Sequence, residues 1–290
     1  MSVAFRDSAY HITRDSADLY VEVAGEETGQ KILYLHGGPG YNSFSFRDLV
    51  GDSLEQHLMI YADQRGGGRT YTENPFSLET LADDVRAILS SLEMSKVTLL
   101  AHGFGAAVAV QTSVSFPDIV ERIIFVNPWF SMPMLARNIQ RTAAVLSGNG
   151  PMAVPPELEL QEGEAGDPVE LTDQAFRWLP AKRVFDELQF PSPSARLQLE
   201  HSDSSALSGP TEFAELEDPW LVDVTPLLEH VSHKAVIIAG QHDASSMPGQ
   251  VELGLMHVKE AMFSMTEGGH YPWLDDPETF LSLLGQALAV

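Results

Sequence analysis

The chain alternates between short, continuously apolar runs and longer amphipathic segments. Runs of four or five residues with almost no polar alternation are typical of strands that are buried on both faces of a sheet. Five such runs are present: Lys31–Leu35, Leu58–Ala62, Val97–Ala101, Ile123–Val126 and Ala235–Ala239. A further strand is predicted around Ala261–Met265.

Helices are predicted between and after these runs. From Leu78 to Glu93 the apolar residues recur on one helical face, and Ser77 stands before them as a candidate N-cap. The last helix is predicted to begin at Asp276-Pro277-Glu278, because a capping residue, a proline and an acid follow one another there. Alternating helices and buried strands predict the α/β class, with a mostly parallel central sheet flanked by helices.

The strand pattern is interrupted between residues 131 and 222. This stretch holds most of the prolines of the chain, long polar runs and no clean buried strand. We therefore predict a core domain formed by residues 1–130 and 223–290, with an inserted, mainly helical cap domain at 131–222. Four aromatic residues of the cap are candidates for a small helical core: Phe176, Trp178, Phe185 and Phe190.

A run of acidic residues lies within this predicted cap. Its members have no basic residue among them: Glu157, Glu159, Glu162, Glu164, Asp167 and Glu170. Blocks of like charge are most often solvated loops, and that interpretation is favoured here. The alternative is an acidic rim that attracts amines.

Composition narrows the classes of function. The 290 residues include 44% hydrophobic ones, which is enough for a sizeable core, and no cysteine. Disulfide frameworks, cysteine nucleophiles and thiolate metal sites are therefore excluded. With 41 acidic and 17 basic residues the formal charge is −24, so nucleic acid and anionic membranes are not expected as partners.

Targeting signals are not evident, so a soluble, cytoplasmic protein is expected. The uncharged stretch Val97–Phe116 has the length of a membrane span, but it contains two closely spaced glycines, a histidine, a glutamine and several hydroxyl groups. We interpret it as a buried strand, a tight turn and a buried helix. The expected partner is a small-molecule or short-peptide substrate, and the oligomeric state is left open.

Two glycine-rich segments follow the first two strands. The first strand ends in His36-Gly37-Gly38-Pro39-Gly40, where glycines let the backbone approach a ligand and direct N–H groups at an anion. The second strand leads into a segment that begins Asp63-Gln64-Arg65. Asp63 and Arg65 are predicted to brace the loops around a site.

The third strand leads into Ala101-His102-Gly103-Phe104-Gly105, between an apolar strand and an apolar helix. A nucleophile elbow, G-x-S-x-G, occurs in this strand–turn–helix context. Alanine for the first glycine is a mild departure. Glycine in place of serine is a severe one, because Gly103 has no side chain that can attack a substrate.

An acid and a histidine follow later strands. Asp243 comes after the strand at Ala235–Ala239, and His270 comes after the strand around Ala261–Met265. An elbow, then an acid, then a histidine, each after a strand, is the order of a nucleophile–acid–base set. The order and placement point to such a set more strongly than either residue does alone.

With these motifs the sequence resembles an α/β-hydrolase, and specifically the proline iminopeptidase branch. The resemblance rests on the His36–Gly40 segment together with the Asp63–Arg69 segment. It implies that Gly103 occupies the place of the nucleophile, that Asp243 is the acid and that His270 is the base. It also implies that the backbone N–H groups of Gly38 and Phe104 are the oxyanion donors. The supporting residues that it implies are His36, Gly37, Asp63 and Arg65.

The resemblance implies hydrolysis of amide (N-terminal aminoacyl) or ester bonds by a Ser-His-Asp type mechanism. Since the serine is missing, the chain is expected to be inactive. The alternatives are a natural pseudoenzyme that binds a ligand, a small-ester esterase or lactonase, and direct activation of water by His270 and Asp243. No metal and no organic cofactor are expected, since no spaced set of metal ligands such as HExxH occurs.

Overall fold

A single sheet organises the chain. The computed structural model describes residues 4–149, 166–206 and 216–290. Within these ranges the strands are β1 (Phe5–Arg14), β2 (Ala17–Glu26), β3 (Lys31–Leu35), β4 (Leu58–Ala62), β5 (Tyr71–Thr72), β6 (Val97–His102), β7 (Val120–Val126), β8 (Ala235–Gly240) and β9 (Met262–Thr266). The predicted strands are all present.

The strand order is β1-β2-β4-β3-β6-β7-β8-β9, and β5 pairs with β2. From β4 to β9 every neighbouring pair is parallel, whereas β1, β2 and β4 pair antiparallel. The prediction of a mostly parallel α/β sheet is therefore confirmed. The antiparallel hairpin of β1 and β2 was not predicted, because β1 alternates between exposed and half-buried residues and has no continuous apolar run.

Helices cover both faces of this sheet. They are α1 (Phe44–Val50), α2 (Leu78–Ser91), α3 (Gly105–Ser115), α4 (Met132–Ser147), α5 (Pro168–Trp178), α6 (Ala181–Gln189), α7 (Pro193–Ser205), α8 (Gly249–His257), α9 (Pro272–Asp275) and α10 (Pro277–Ala289). The predicted cap of α2 is present, since the Ser77 side chain accepts a hydrogen bond from Thr80 N. Of the helices in the described ranges, none has the length and apolar character that crossing a bilayer requires.

The core has two parts, one on each face of the sheet. On one face α2, α3 and α8 pack against alternate residues of the strands, such as Leu33 and Leu99. On the other face α1 and α10 pack against the intervening residues, such as Ile32 and Leu100. The stretch Val97–Phe116 forms β6, a short turn and α3, as predicted from the sequence, and every residue of β6 is buried.

Helices α4 to α7, here called the insert helices, lie between β7 and β8 in the sequence. Phe176 and Phe185 have ring centroids 6.5 Å apart and pack, with Trp178, against the same core as the sheet. Phe190 instead stacks on Tyr271, with ring centroids 5.2 Å apart. The four aromatic residues thus do not form a separate helical core. The division into core and cap domains stays a prediction.

The start of α3 lies directly on the backbone of β3. A Cβ atom on Gly105 would lie 2.2 Å from the carbonyl oxygen of Leu35. This distance is far below van der Waals contact, so only glycine allows α3 to begin so close to the sheet.

We expect Gly105→Ala to lower the free energy of unfolding by about 3 kcal/mol, because the new methyl group must push α3 away from β3. Gly285→Ala is the matched control, since Gly285 lies within α10 with nothing within 4 Å of the added Cβ. Alanine there should raise stability by up to about 1 kcal/mol. Urea unfolding measures both changes, and equal effects of the two substitutions would contradict the close approach.

Candidate active site

The turn between β6 and α3 holds Gly103 in a left-handed conformation, with φ of +52°. Its N–H donates to Val126 O at 3.1 Å, and its carbonyl accepts from Ala106 N at 3.1 Å and from Trp129 N at 3.0 Å. These three hydrogen bonds hold the backbone of Gly103 through both its N–H and its carbonyl group. A Cβ atom at this position would lie 3.2 Å from Nε2 of His270. Residue 103 therefore faces the imidazole directly.

Asp243 and His270 meet after their strands, as the sequence predicts for adjacent strand ends. Nδ1 of His270 lies 2.7 Å from Oδ2 of Asp243, and the two residues are 1% and 0% exposed. The other carboxylate oxygen accepts from the N–H and the hydroxyl of Ser245 at 2.9 and 2.5 Å. Because a carboxylate only accepts, Nδ1 carries the proton and Nε2 is left as a base aimed at residue 103.

The imidazole of His270 is also held by its ring face and its backbone. The indole of Trp129 stacks on it, with centroids 4.9 Å apart and planes 18° apart. The indole N–H donates to the hydroxyl of Ser245 at 3.1 Å, so one side chain supports both the base and the partner of the acid. The backbone N–H of His270 donates to Gln189 O at 2.8 Å, at the end of α6.

The glycine-rich segment after β3 is fixed by His36. Its Nδ1 donates to Gly37 O at 2.6 Å, and its Nε2 accepts from Gln64 N at 2.8 Å. Burial lowers the pKa of His36, which favours the neutral ring that these two bonds require. Within the described part of the chain, the N–H groups of Gly38 and Phe104 donate to no protein acceptor. Phe104 caps α3, where free N–H groups favour an anion.

The chain is similar to known proteins over most of its length. Residues 32–283 match the profile of the family described as "Alpha/beta hydrolase family". The chain belongs to the alpha/beta hydrolase family. A proline iminopeptidase-related protein from Thermus thermophilus, known from a crystal structure, is 31% identical to this chain in sequence. The match covers 98% of both chains, and the two structures superpose with a TM-score of 0.83. The resemblance to the proline iminopeptidase branch is thereby confirmed.

Two further proteins are similar to this chain at lower identity. A proline iminopeptidase of Heyndrickxia coagulans is 22% identical over 272 residues, which cover 90% of this chain and 91% of the relative. A thermophilic esterase from Thermogutta terrifontis is 20% identical, covers 98% of both chains and has a TM-score of 0.70. At this identity the esterase shows the shared fold alone.

Asn127 connects three loops of this α/β-hydrolase and was missed in the sequence analysis. Its side-chain amide donates to the carbonyl oxygens of Gly269 and His270 at 3.0 and 2.8 Å. Its side-chain oxygen accepts from Gly240 N at 2.8 Å. The signal in the sequence was a polar residue directly after a buried strand, at the edge where the carboxyl ends of the parallel strands meet.

His102, the residue before Gly103, holds the same carbonyl of His270. Its Nε2 donates to that oxygen over 2.9 Å. Burial, followed by the charge of neighbouring His270, lowers the pKa of His102 well below its ordinary value, so the ring is neutral. Its Nδ1 is buried and has no hydrogen-bond partner among the described residues. His102 thus supports the loop of the base rather than acting as a second base.

Asp63 and Arg65 brace the loops through separate contacts. Asp63 accepts from the N–H and hydroxyl of Ser43 at 2.8 and 2.7 Å, and from Nε of Arg69 at 2.7 Å. Arg65 forms two hydrogen bonds with the buried carboxylate of Asp84 on α2, at 2.5 and 2.9 Å. Asp63 therefore joins the segment after β4 to the segment after Gly40, and Arg65 joins it to α2.

Tyr41 links the glycine-rich segment to the insert helices. Its hydroxyl donates to Asp203 of α7 at 2.6 Å and lies 2.7 Å from the hydroxyl of Ser45. Burial raises the pKa of the Asp203 carboxyl. An acidic group of α7 thus stands beside the loop that carries Gly38.

The predicted acidic run lies mostly outside the described residues, from Glu157 to Glu164. Of the two remaining members, Asp167 caps α5 by accepting from Val169 N at 2.9 Å, and Glu170 lies in the first turn of that helix. Among the described residues, no group of three or more His, Asp or Glu side chains is arranged to hold a metal ion.

We expect Asp63→Asn to lower the free energy of unfolding by about 3 kcal/mol at pH 7, because Arg69 loses a buried carboxylate. Burial opposes ionisation of Asp63, but the hydrogen bonds and charge of Arg69 outweigh it and lower its pKa. A lowered pKa in the folded state gives stability that is present above the ordinary pKa and lost as the pH falls through the folded value.

The difference between the parent chain and Asp63→Asn should therefore be constant down to about pH 4 and shrink below it. Urea unfolding at several pH values measures this. Asp118→Asn, at an exposed residue, is the control and should change stability by less than about 0.5 kcal/mol. A difference that does not depend on pH would show that the Asp63 charge contributes nothing.

Proposed function

We propose that this chain carries the site of an amide or ester hydrolase, of the proline iminopeptidase-like kind, in which only the nucleophile is missing. The observation that carries the proposal is the position of His270. Its Nδ1 is bonded to Asp243, while its Nε2 lies 3.2 Å from the Cβ position of residue 103. Without a side chain at position 103 that can attack a substrate, the site forms no acyl-enzyme.

The roles follow from the contacts. With a serine at position 103, Nε2 of His270 takes the hydroxyl proton as the oxygen attacks the carbonyl carbon. Asp243 stabilises the imidazolium that results. The N–H groups of Gly38 and Phe104 bind the oxyanion, and the imidazolium then donates its proton to the leaving group. Gly103 supplies no atom for the first bond.

Glycine at this position also affects stability. A non-glycine residue in the left-handed region costs on the order of 1–3 kcal/mol, so Gly103 relieves strain that a serine would impose. A Cβ at 3.2 Å from Nε2 is tighter than ordinary contact, and the imidazole must move by a few tenths of an ångström to admit it. The site is therefore close to, but slightly tighter than, one that holds a serine.

We expect Gly103→Ser to gain covalent labelling by a fluorophosphonate, because the new hydroxyl lies next to the base. The same variant should turn over aminoacyl arylamides or small esters at a rate at least about 10³-fold above that of the parent chain. Intact-mass spectrometry measures the labelling, and absorbance assays measure the turnover.

Two variants test whether this activity belongs to the proposed site. Gly103→Ser with His270→Ala should lose both labelling and turnover, because the base is gone. Gly103→Ala should gain neither, although it carries the same backbone strain. If Gly103→Ser stays inert on a broad panel while the parent chain binds an acyl ligand tightly, the site belongs to a binding protein and the hydrolase proposal fails.

The substrate class we propose is one with a free α-amine. Asp203 supports this, since it places a carboxylate beside the glycine-rich segment. The proline iminopeptidase-like relatives support it as well. Ester substrates remain the second candidate because an esterase shares the fold.

In the Gly103→Ser background we expect kcat/KM to be about tenfold higher for a free-amine aminoacyl arylamide than for its N-acetylated form. A charge-assisted hydrogen bond contributes about 1.5–3 kcal/mol, which covers such a ratio. Asp203→Asn should reduce the ratio towards one. Glu187→Gln, at an exposed residue of α6 paired with Arg183, is the control and should leave it unchanged. Equal rates on both substrates would exclude amine recognition.

A further inference from the structure

The end of helix α6 binds the two loops that carry the acid and the base. Leu188 and Gln189 are the last residues of this helix, and carbonyl groups at a helix end have no partner within the helix. Here Leu188 O accepts from Ala244 N at 2.9 Å, and Gln189 O accepts from His270 N at 2.8 Å. One of these N–H groups directly follows Asp243, and the other belongs to the base itself.

Residues 188–191, here called the α6 strap, lie against the loop of the base. Phe190 stacks on Tyr271, with ring centroids 5.2 Å apart and planes 12° apart. A Cβ atom on Gly269 would lie 2.2 Å from the carbonyl oxygen of Gln189. This distance is far below van der Waals contact, so the strap can lie this close only because residue 269 is a glycine.

The backbone of His270 is held from two parts of the molecule. Its carbonyl oxygen accepts from Asn127 and His102, which come from the ends of β7 and β6. Its N–H donates to Gln189, which belongs to the insert helices. The base is therefore fixed between the sheet and the insert.

The loops of the acid and the base also bind each other, but at earlier residues. His242 N donates to Gly268 O at 3.0 Å. The later N–H groups, those of Ala244 and His270, are bound instead by consecutive carbonyl groups of one helix end. Because both carbonyl groups belong to helical residues, the geometry of the helix sets their separation.

We propose that the α6 strap positions the acid–base pair, so that the insert helices are a required part of the site. The two carbonyl groups fix Ala244 relative to His270, and thereby maintain the 2.7 Å contact between His270 Nδ1 and Asp243 Oδ2. Leu188 and Gln189 are positioning residues, since they act through the pair. This role goes beyond the proposed hydrolase function, because the pair needs the same support whatever compound the site takes.

Proton NMR of the parent chain tests the proposal. The Nδ1 proton of His270 is buried in a short hydrogen bond, so we expect a resolved downfield resonance that exchanges slowly with solvent. Replacing Ala244 by lactic acid turns one backbone amide into an ester, which removes the N–H and keeps every side chain. The resonance should then exchange at least about threefold faster, because one hydrogen bond that keeps the pair closed is lost.

The same chemical change at Ala261 is the matched control. The N–H of Ala261 donates to Val258 O at 3.3 Å in the turn before β9, at the strand end opposite to the site. Lactic acid at this position should leave the exchange rate of the resonance unchanged. An equal effect of the two esters would overturn the proposal.

A second variant displaces the strap from the side of the loop. Gly269→Ala must push the carbonyl of Gln189 away, and should shift or broaden the resonance. Gly29→Ala is its control, since a Cβ there would lie 2.4 Å from Gln56 O, before β3 and away from the site. It should destabilise the chain without changing the resonance. The ester variant decides the question if Gly269→Ala fails to fold.

Turnover in the Gly103→Ser background gives an independent reading. Lactic acid at Ala244 should lower kcat several-fold and leave KM nearly unchanged, because the base is misplaced while no side chain is altered. A resonance that is absent from the parent chain, or that is insensitive to the ester, overturns the proposal. An inert Gly103→Ser variant overturns the hydrolase function alone, since the resonance of the parent chain does not depend on turnover.

Discussion

The buried hydrogen bond between His270 Nδ1 and Asp243 determines what this site can do. It fixes the tautomer of the imidazole and points its free nitrogen at residue 103. Removing a carboxylate from water is costly unless its hydrogen-bonding capacity is satisfied. Here Ser245 satisfies the second carboxylate oxygen, so the pair can be buried almost completely.

The surrounding residues keep this bond in place rather than adding chemistry of their own. Asn127 and His102 both donate to the carbonyl oxygen of His270, and Trp129 lies flat against its ring. His102 ends β6, whereas Asn127 and Trp129 follow β7, so two neighbouring parallel strands bring them to one point. Gly103 lies at that point in the left-handed conformation, which would strain any other residue. Glycine could adopt other conformations as readily, so the turn keeps the backbone of a nucleophile elbow although the nucleophile is missing.

The apolar runs predicted the central strands because residues buried on both faces leave a local signal. The hairpin of β1 and β2 left none, since β1 lies half-exposed at the edge. At the site, Gly103, Asp243 and His270 were recognisable from their order along the chain and from their places after β6, β8 and β9. Asn127, Trp129 and Ser245 act through contacts that only the folded sheet creates, although Ser245 follows Asp243 by the two residues typical of an Asx turn. Phe190 was expected in a helical core, but its ring stacks on Tyr271, which follows His270 in the sequence.

The central claim is that the site lacks one side chain and is otherwise assembled. A crystal structure of the Gly103→Ser variant tests it most directly. The account predicts that residue 103 keeps a positive φ, that its hydroxyl lies within hydrogen-bond distance of His270 Nε2, and that the bond to Asp243 is unchanged. A serine that relaxes out of the left-handed region, or an imidazole that turns away from Asp243 to admit it, would contradict the account.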